Sequence, residues 1–463
     1  MNESLGGETI ATTTLPPDPD PIQQLITRPG FKAWKEKVKS THGCMHPIKL
    51  RGGSTITHRA SGNVLRESTG SIWIPCGTRR ESMCETCSAW YAQDAFHLIR
   101  SGLTGDADKG VAVEVAERPR WFVTLTAPSF GSVHSRSVNA HGKMYRPCSC
   151  GSWHSETYTR LGHPVDPDTY DYDAAVLWQA HAGKLWHRFT IRLKRALARI
   201  GGIRIKDLSE QVRLSYAKVA EFQRRGLVHF HGAVRLDGPD GADSTPPSWA
   251  TKEALESAIR TAVADTEITT VRPDGTELAL QWGTQVDLRD ITAEAKAKEG
   301  LSGQALAGYI AKYATKSTGA TDGADRKFRS EAEIDLVSTP AHYEAMMRTA
   351  WRLGGLVQYE HLNLRRWAHM LGFRGHFLTK SRAWSLTFGQ LRDIRARHCL
   401  LETLSELDVA EDDVTVVNDW HPVGFGHRDE AEREYASAIA EQLLQKRLSK
   451  HTRQTTNGTG GTA

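Results

Sequence analysis

Long apolar runs are missing from this chain: no stretch of about 18 apolar residues occurs in its 463 residues, so no membrane-spanning helix is expected. The opening Met1–Pro21 is polar and proline-bearing, with no charged start leading into an apolar segment, and secretion is not expected either. Cysteine is scarce and odd in number. Of the seven, six fall between Cys44 and Cys150, including one C-x-x-C and one C-x-C pair, a pattern that suits metal better than disulfides and points to the reducing cytoplasm. A strong excess of one charge is also lacking, because the formal net charge is only +5, which permits a polyanionic partner without requiring one. With 39% hydrophobic and 24% charged residues, wholesale disorder, a collagen-like chain and a disulfide-dense miniprotein are excluded. The length allows about three domains.

What is present is ordered along the chain. Residues 1–30 and 451–463 lack apolar periodicity and read as disordered tails. The cysteine-bearing region 31–118 contains an expected amphipathic helix at Ser88–Arg100, with Trp90, Tyr91, Ala95 and Leu98 on its apolar side. Trp121–Pro128 (WFVTLTAP) is β-branched and aromatic and ends at proline, which predicts a short buried strand; a Cys/His insertion at 128–172 follows. Asp173–Arg199 reads as a long helix covering a sheet. Gln211–Gln223 and Leu227–Leu236 alternate as strands around the turn Arg224-Arg225-Gly226. Thr251–Ala264 reads as a helix, Leu280–Leu288 as a strand and Ser302–Lys316 as a helix. The order predicts an α+β core over 119–320, a ferredoxin-like antiparallel sheet with helices on one face. Residues 321–450 read as mainly helical and basic.

The sharpest chemical signal is His229-Phe230-His231. On a strand, Val228, Phe230, Val234 and Leu236 point to the core while His229 and His231 project together from the other face. If the hairpin is centred on Arg225, Glu221 lies opposite His229 on that same face, and the three side chains form a metal site with open positions for a phosphate. The plainer alternative is a pair of sheet histidines that only hydrogen-bond. The second signal is GYIAKYATKST: on a helix, Tyr309, Lys312, Tyr313 and Lys316 make one stripe of two phenols and two ammonium groups. A phenol, with a pKa of about 10, becomes a useful nucleophile only beside positive charge or a metal. The same helix also offers Leu306, Tyr309, Ile310 and Tyr313 as a core stripe, the alternative for the tyrosines.

Cys84 and Cys87 make half of a zinc site that Cys44 and Cys76 could complete. Cys148, Cys150 and His154, with His134 or His163, offer a candidate second zinc site, the alternative being an exposed loop with unbound thiols. Cys399 stands alone and reads as a small core residue. Between Trp351 and Leu400 nine basic residues face two acidic ones; Arg365, Arg366, Arg374, Lys380 and Arg382, interleaved with Trp367, Phe373, Phe377 and Trp384, suit phosphate contact and base stacking.

Together these features resemble the HUH endonucleases, and more closely the RepSA-like replication initiators of rolling-circle and integrative-conjugative plasmids of actinobacteria. The resemblance rests on CGTRRESMCETC, FVTLTAP, DPDTYDYDAAVLWQAHAGKLWHRFT, EFQRRGLVHFHGAVRLDG, GYIAKYATKST and LGFRGHFLTKSR, spanning Cys76 to Arg382. It implies nicking of one strand of plasmid origin DNA, single-stranded or in a hairpin. Mg²⁺ or Mn²⁺ on Glu221, His229 and His231 would assist a tyrosine that forms a 5′-phosphotyrosine and later rejoins the ends. Tyr313 is the favoured nucleophile, because in related initiators the second position attacks and the residue four earlier assists termination. Tyrosines placed after the H-x-H argue for an initiator over a relaxase. No P-loop occurs, so a host helicase and polymerase are the expected partners. Two other readings stand beside this one: a transposase or relaxase with the same chemistry, and a zinc-stabilised DNA-binding regulator without catalysis.

Overall fold

The computed structural model describes residues 20–139, 141–292, 301–315 and 326–457. In chain order the helices are α1 (Pro21–Thr27), α2 (Phe31–Ser40), α3 (Glu85–Thr104), α4 (Tyr172–Ile200), α5 (Lys252–Ala264), α6 (Gly303–Thr315), α7 (Ala341–Leu353), α8 (Leu364–Trp367), α9 (Phe388–Glu406) and α10 (Glu430–Asn457). The strands are β1 (Ile48–His58), β2 (Val64–Ile74), β3 (Arg120–Leu125), β4 (Ser137–Val138), β5 (Met144–Arg146), β6 (Arg213–Phe222), β7 (Val228–Asp237), β8 (Glu267–Val271), β9 (Glu277–Gln281), β10 (Val286–Thr292), β11 (Leu301–Ser302), β12 (Leu378–Lys380) and β13 (Val414–Phe425).

The chain divides into two units. The first is Met1–Gly77, Met83–Cys87 and Leu407–Ala463. Its antiparallel sheet has the order β13-β1-β2, so a strand near the end of the chain pairs along the whole of β1, Ile48 opposite Phe425 and His58 opposite Val414. Beside it, Val38 of α2 and Ala436 and Ile439 of α10 are buried together with Trp34, Trp73 and Tyr435 at their edge. Two expectations change here. The proposed tails contain α1, whose Leu25 is buried, and the end of α10, and the stretch read as mainly helical contains the twelve-residue β13. That strand escapes a local reading because its pairing partner among the described residues lies more than 350 residues upstream.

The second unit, Thr78–Ser82 and Ser88–Glu406, holds a six-stranded sheet of order β11-β10-β3-β7-β6-β12. Its four central strands pair antiparallel throughout, and with α4 and α5 they follow the order of a β-α-β-β-α-β unit. Long α4 starts where the Asp171 carboxylate accepts the Ala174 N–H at 2.9 Å, and its buried stripe of Trp178, Leu185, Trp186, Phe189 and Leu193 covers one face of the sheet. Val123, Leu125, Phe230, Val234 and the buried side of α5 share this core. The opposite face is covered too: Phe122, Ala217, Val219 and Ala233 pack with Leu306 and Ile310 of α6 and Ile99 and Leu103 of α3. The expectation of helices on one face is corrected accordingly. It arose because the alternation in β7 identifies one apolar face, whereas the small alanines of the other leave room for a helix without announcing it. The expected strand Leu280–Leu288 is also split, β9 ending at Gln281 and β10 starting at Val286.

Candidate functional site

The β6–β7 hairpin is the local device that builds the site. Its register runs from Arg213 opposite Asp237 to Phe222 opposite Val228, which puts Glu221 opposite His229 and Val219 opposite His231. The turn closes through Gln223 N–H to the Leu227 carbonyl at 2.9 Å and Gly226 N–H to the Gln223 carbonyl at 2.9 Å. Gly226 has φ +71°, a conformation that favours glycine, and a Cβ there would meet Met346 Sδ at 2.8 Å. Around the turn, the Arg225 guanidinium donates to the carbonyls of Ala127 at 2.7 Å and Pro128 at 2.8 Å, His342 Nε2 donates to the Arg225 carbonyl at 3.0 Å, and Tyr343 Oη to that of Arg224 at 2.8 Å. The hairpin end is thus held on several sides.

On the face turned to α6, three donor atoms converge. Glu221 Oε2 lies 3.1 Å from His229 Nε2 and 3.2 Å from His231 Nε2, and the two imidazole nitrogens are 3.1 Å apart. Two histidine nitrogens and a carboxylate so spaced match neighbouring corners of an octahedral ion, where bonds of about 2.1 Å place adjacent ligands about 3 Å apart. The donor set therefore fits a divalent cation. Burial raises the acid pKa, but the hydrogen bonds with His229 and His231 outweigh it and hold the Glu221 carboxyl at about 2, so it is anionic at neutral pH. Burial pushes the His231 imidazole below its ordinary value, against the opposing pull of Glu221, which keeps the ring neutral and able to bind a metal.

Sequence reasoning did not reach Thr124 or Phe122. Thr124 stands opposite His231 in the β3–β7 pair, and its Oγ1 is 3.0 Å from His231 Nδ1, which turns Nε2 toward the cage. The Phe122 ring is stacked on that of His231, with centroids 5.6 Å apart and planes 6° from parallel. The legible signal was a threonine interrupting an apolar strand on the face shared with the histidines.

Of the expected tyrosine helix, Tyr309 reaches the site: its Oη is 3.0 Å from His231 Nε2 and 3.4 Å from Glu221 Oε2. Lys312 is exposed on the same helix. The side chain of Tyr313 and all of Lys316 lie outside the described residues.

Cys44, Cys76, Cys84 and Cys87 come together in the first unit with their sulfurs within 4.8 Å of one another. Cys44 Sγ is 3.5 Å from Cys87 Sγ and 3.9 Å from Cys84 Sγ, near the roughly 3.8 Å edge of a tetrahedral zinc–thiolate site with bonds of about 2.3 Å. Crowding against Cys44 and Cys84 pushes the Cys87 thiol up, since several buried thiolates cannot coexist without a cation. In the second unit His134, Cys148, Cys150 and His154 also converge: His154 Nε2 is 3.2 Å from both His134 Nδ1 and Cys150 Sγ. Burial would raise the Cys148 thiol, but the backbone N–H groups of Cys150 and Ser135 bring it to about 5. His163, the other expected ligand, instead lies against the rings of His342 and Tyr343. Cys399 is exposed on α9 rather than a core residue, because α9 buries only Leu391 and Leu404.

The basic stretch divides. Arg365, Arg366, Arg374 and Arg382 are exposed. Lys380 turns its ammonium to the Ser385 carbonyl at 2.9 Å, and burial pulls its pKa down to about 8. Phe373, Phe377 and Trp384 are buried, so their rings are core and not platforms for bases; of the four aromatics only Trp367 keeps partial exposure. The apolar spacing of a core and the aromatic spacing of a stacking surface look alike in sequence.

A family model described as "RepSA: Replication initiator protein, pSAM2" matches residues 30–441. A protein of Streptomyces ambofaciens described as "Replication initiator protein" is 40% identical over 441 residues, covering 92% of this chain and 94% of that relative. No solved structure matches the chain.

Proposed function

The chain belongs to the RepSA family of replication initiator proteins, and from that premise we propose that it binds plasmid origin DNA and starts rolling-circle replication by metal-assisted, tyrosine-mediated nicking of one strand. The observation that carries this reading is Tyr309 Oη at 3.0 Å from His231 Nε2, at the edge of a three-ligand cage. Glu221, His229 and His231 would hold Mg²⁺ or Mn²⁺, which when bound supplies positive charge to a scissile phosphate.

The remaining steps belong to the chain. Thr124 fixes the His231 ring, and the paired strands β6 and β7 hold Glu221 and His229 without reorganisation. Oη of a tyrosine on α6 attacks phosphorus; the P–O3′ bond breaks, the phenol proton leaves Oη and the departing O3′ takes one up. The products are a 5′-phosphotyrosine and a free 3′-hydroxyl that primes a host polymerase, with a host helicase opening the duplex. Because the adduct keeps one phosphodiester bond for each one broken, the reverse attack rejoins the ends without ATP. The resemblance favoured Tyr313 as the nucleophile. The position of Tyr309 favours Tyr309 for the first attack, with Tyr313, four residues on along the same helix, as the second tyrosine.

The two Cys/His groups are read as structural zinc sites, since each supplies four donors and no open position. The exposed Arg365, Arg366, Arg374 and Arg382 are read as contacts to DNA phosphates. The test is incubation with Mn²⁺ and single-stranded oligonucleotides tiling the DNA around the protein's own gene, scored for a denaturation-resistant adduct.

A further inference from the structure

A cavity of about 200 Å³ in the second unit is lined by Arg79, Arg80, Tyr91, Trp367, His376 and Phe377, among others. One wall is the chain entering β12, whose Leu378 stands opposite Val219, while the Phe377 carbonyl accepts the Ala220 N–H at 2.7 Å. The next residue along β6 is Glu221, the carboxylate of the cage. On another side, Leu378 and Tyr91 pack in one apolar cluster with Ala311 of α6, two residues beyond Tyr309. Two of its lining residues, Phe377 and Leu378, are thus bonded or paired to the strand that carries the metal-site carboxylate, and Tyr91 and Leu378 share an apolar cluster with the helix that carries the phenol.

Its lining has a particular chemistry. The Arg79 guanidinium lies 4.7 Å from the centre of the Phe377 ring, and the rings of Trp367 and His369 are stacked 17° from parallel. Arg80 adds a second cation, and no carboxylate is among the lining residues. Phe377 and His369 are buried and only back the lining; the partly exposed Tyr91 and Trp367 rings and the Arg79 and Arg80 guanidinium groups offer flat surfaces and positive charge that suit a planar group bearing an anion, as a nucleotide does. The volume falls below the roughly 300–1,000 Å³ of pockets that enclose drug-sized ligands, which suits one base and excludes a duplex.

We propose that this cavity seats one unpaired base of the origin strand, with its phosphate on Arg79 and Arg80, and so fixes which phosphate of that strand meets the tyrosine. The proposal rests on the nicking reading above. Neither arginine belonged to the basic stretch singled out in the sequence; both come from the segment between Cys76 and Cys84.

The experiment measures binding of the full chain, by fluorescence anisotropy without added Mg²⁺ or Mn²⁺, to the origin strand carrying one abasic site at each position in turn. Wild type should show one position, close to the nick, at which the missing base weakens binding about tenfold. In Arg80→Ala, and separately in Trp367→Ala, the intact and that abasic strand should bind equally weakly, while the other abasic strands keep their wild-type ratios to intact DNA. Arg80 and Trp367 are both half-buried, and a melting curve like that of wild type qualifies each comparison. A flat abasic scan, or variants that weaken every strand by one common factor, would overturn the proposal. Mn²⁺ is then added to the same strands. Absence of cleavage with a positional abasic effect counts against nicking and leaves the pocket standing; cleavage with a flat scan counts against the pocket alone.

Discussion

Glu221 stands directly opposite His229 across the β6–β7 pair, with its Oε2 3.1 Å from the imidazole Nε2. Both side chains are fixed by backbone pairing, and the third donor, His231, is two residues along the same strand. The cage is therefore a property of hairpin register, and a one-residue slip of β7 against β6 would turn both histidines to the α4 face, away from Glu221.

The ligands should be separable from DNA binding. Glu221→Gln and His231→Ala are expected to lower nicking by at least about 100-fold, the scale of losing a metal ligand and its charge, while single-strand affinity stays within a few-fold. Thr124→Val, which keeps all three ligands, should raise the Mn²⁺ concentration needed for half-maximal nicking by about 10–100-fold. A manganese titration of the four proteins checks the set; a Thr124→Val curve superimposable on wild type contradicts the role given to that hydroxyl.

Metal content should follow the two cysteine groups. Purified protein is expected to carry two zinc ions per chain, Cys84→Ser one, and the double variant Cys148→Ser, Cys150→Ser one. Elemental analysis reads this directly, and replacement by Co²⁺ should give the absorption of tetrahedral thiolate sites. Zinc that stays at two in either variant contradicts the assignment of that cluster.

Stability should depend on His342. Burial, against a hydrogen bond to the Arg225 carbonyl, pushes its imidazole down to about 4. An unfolded-state histidine titrates near 6.5, so below that value the unfolded chain binds a proton that the folded chain refuses. The stabilisation is complete above pH ~6.5 and is lost as the pH falls toward 4, to a total of about 3 kcal/mol at most. Denaturant melts of His342→Gln should show a shallower fall over that window than wild type. An unchanged slope rejects the buried neutral ring as its source.

Much of this site was legible because hairpin register is a local property. Arg224-Arg225-Gly226 marked the turn, residues equidistant from Arg225 face one another, and alternation placed Glu221, His229 and His231 on one side. The cysteine groups were legible for the same reason, except that spacing alone could not choose between His134 and His163. What was hidden depends on distant sequence. The pairing of β13 with β1, the covering of the histidine face by α6 and α3, and the burial of Phe373, Phe377 and Trp384 arise from contacts that no local pattern encodes. Tyr309 and Tyr313 could not be ranked by spacing, because both lie on one helix stripe; Tyr309 Oη stands 3.0 Å from His231 Nε2, while the side chain of Tyr313 lies outside the described residues.

The central claim is that a tyrosine of α6 becomes joined to DNA with the help of the Glu221–His229–His231 cage. The most direct measurement is mass spectrometry of the protein after incubation with Mn²⁺ and single strands from around its own gene. The account predicts a 5′-phosphotyrosine adduct on Tyr309, with Tyr313 the site in Tyr309→Phe, and no adduct in His231→Ala or in EDTA. Strand binding without any adduct, with Tyr309→Phe and Tyr313→Phe indistinguishable from wild type, would contradict it and leave a DNA-binding protein whose tyrosines only pack.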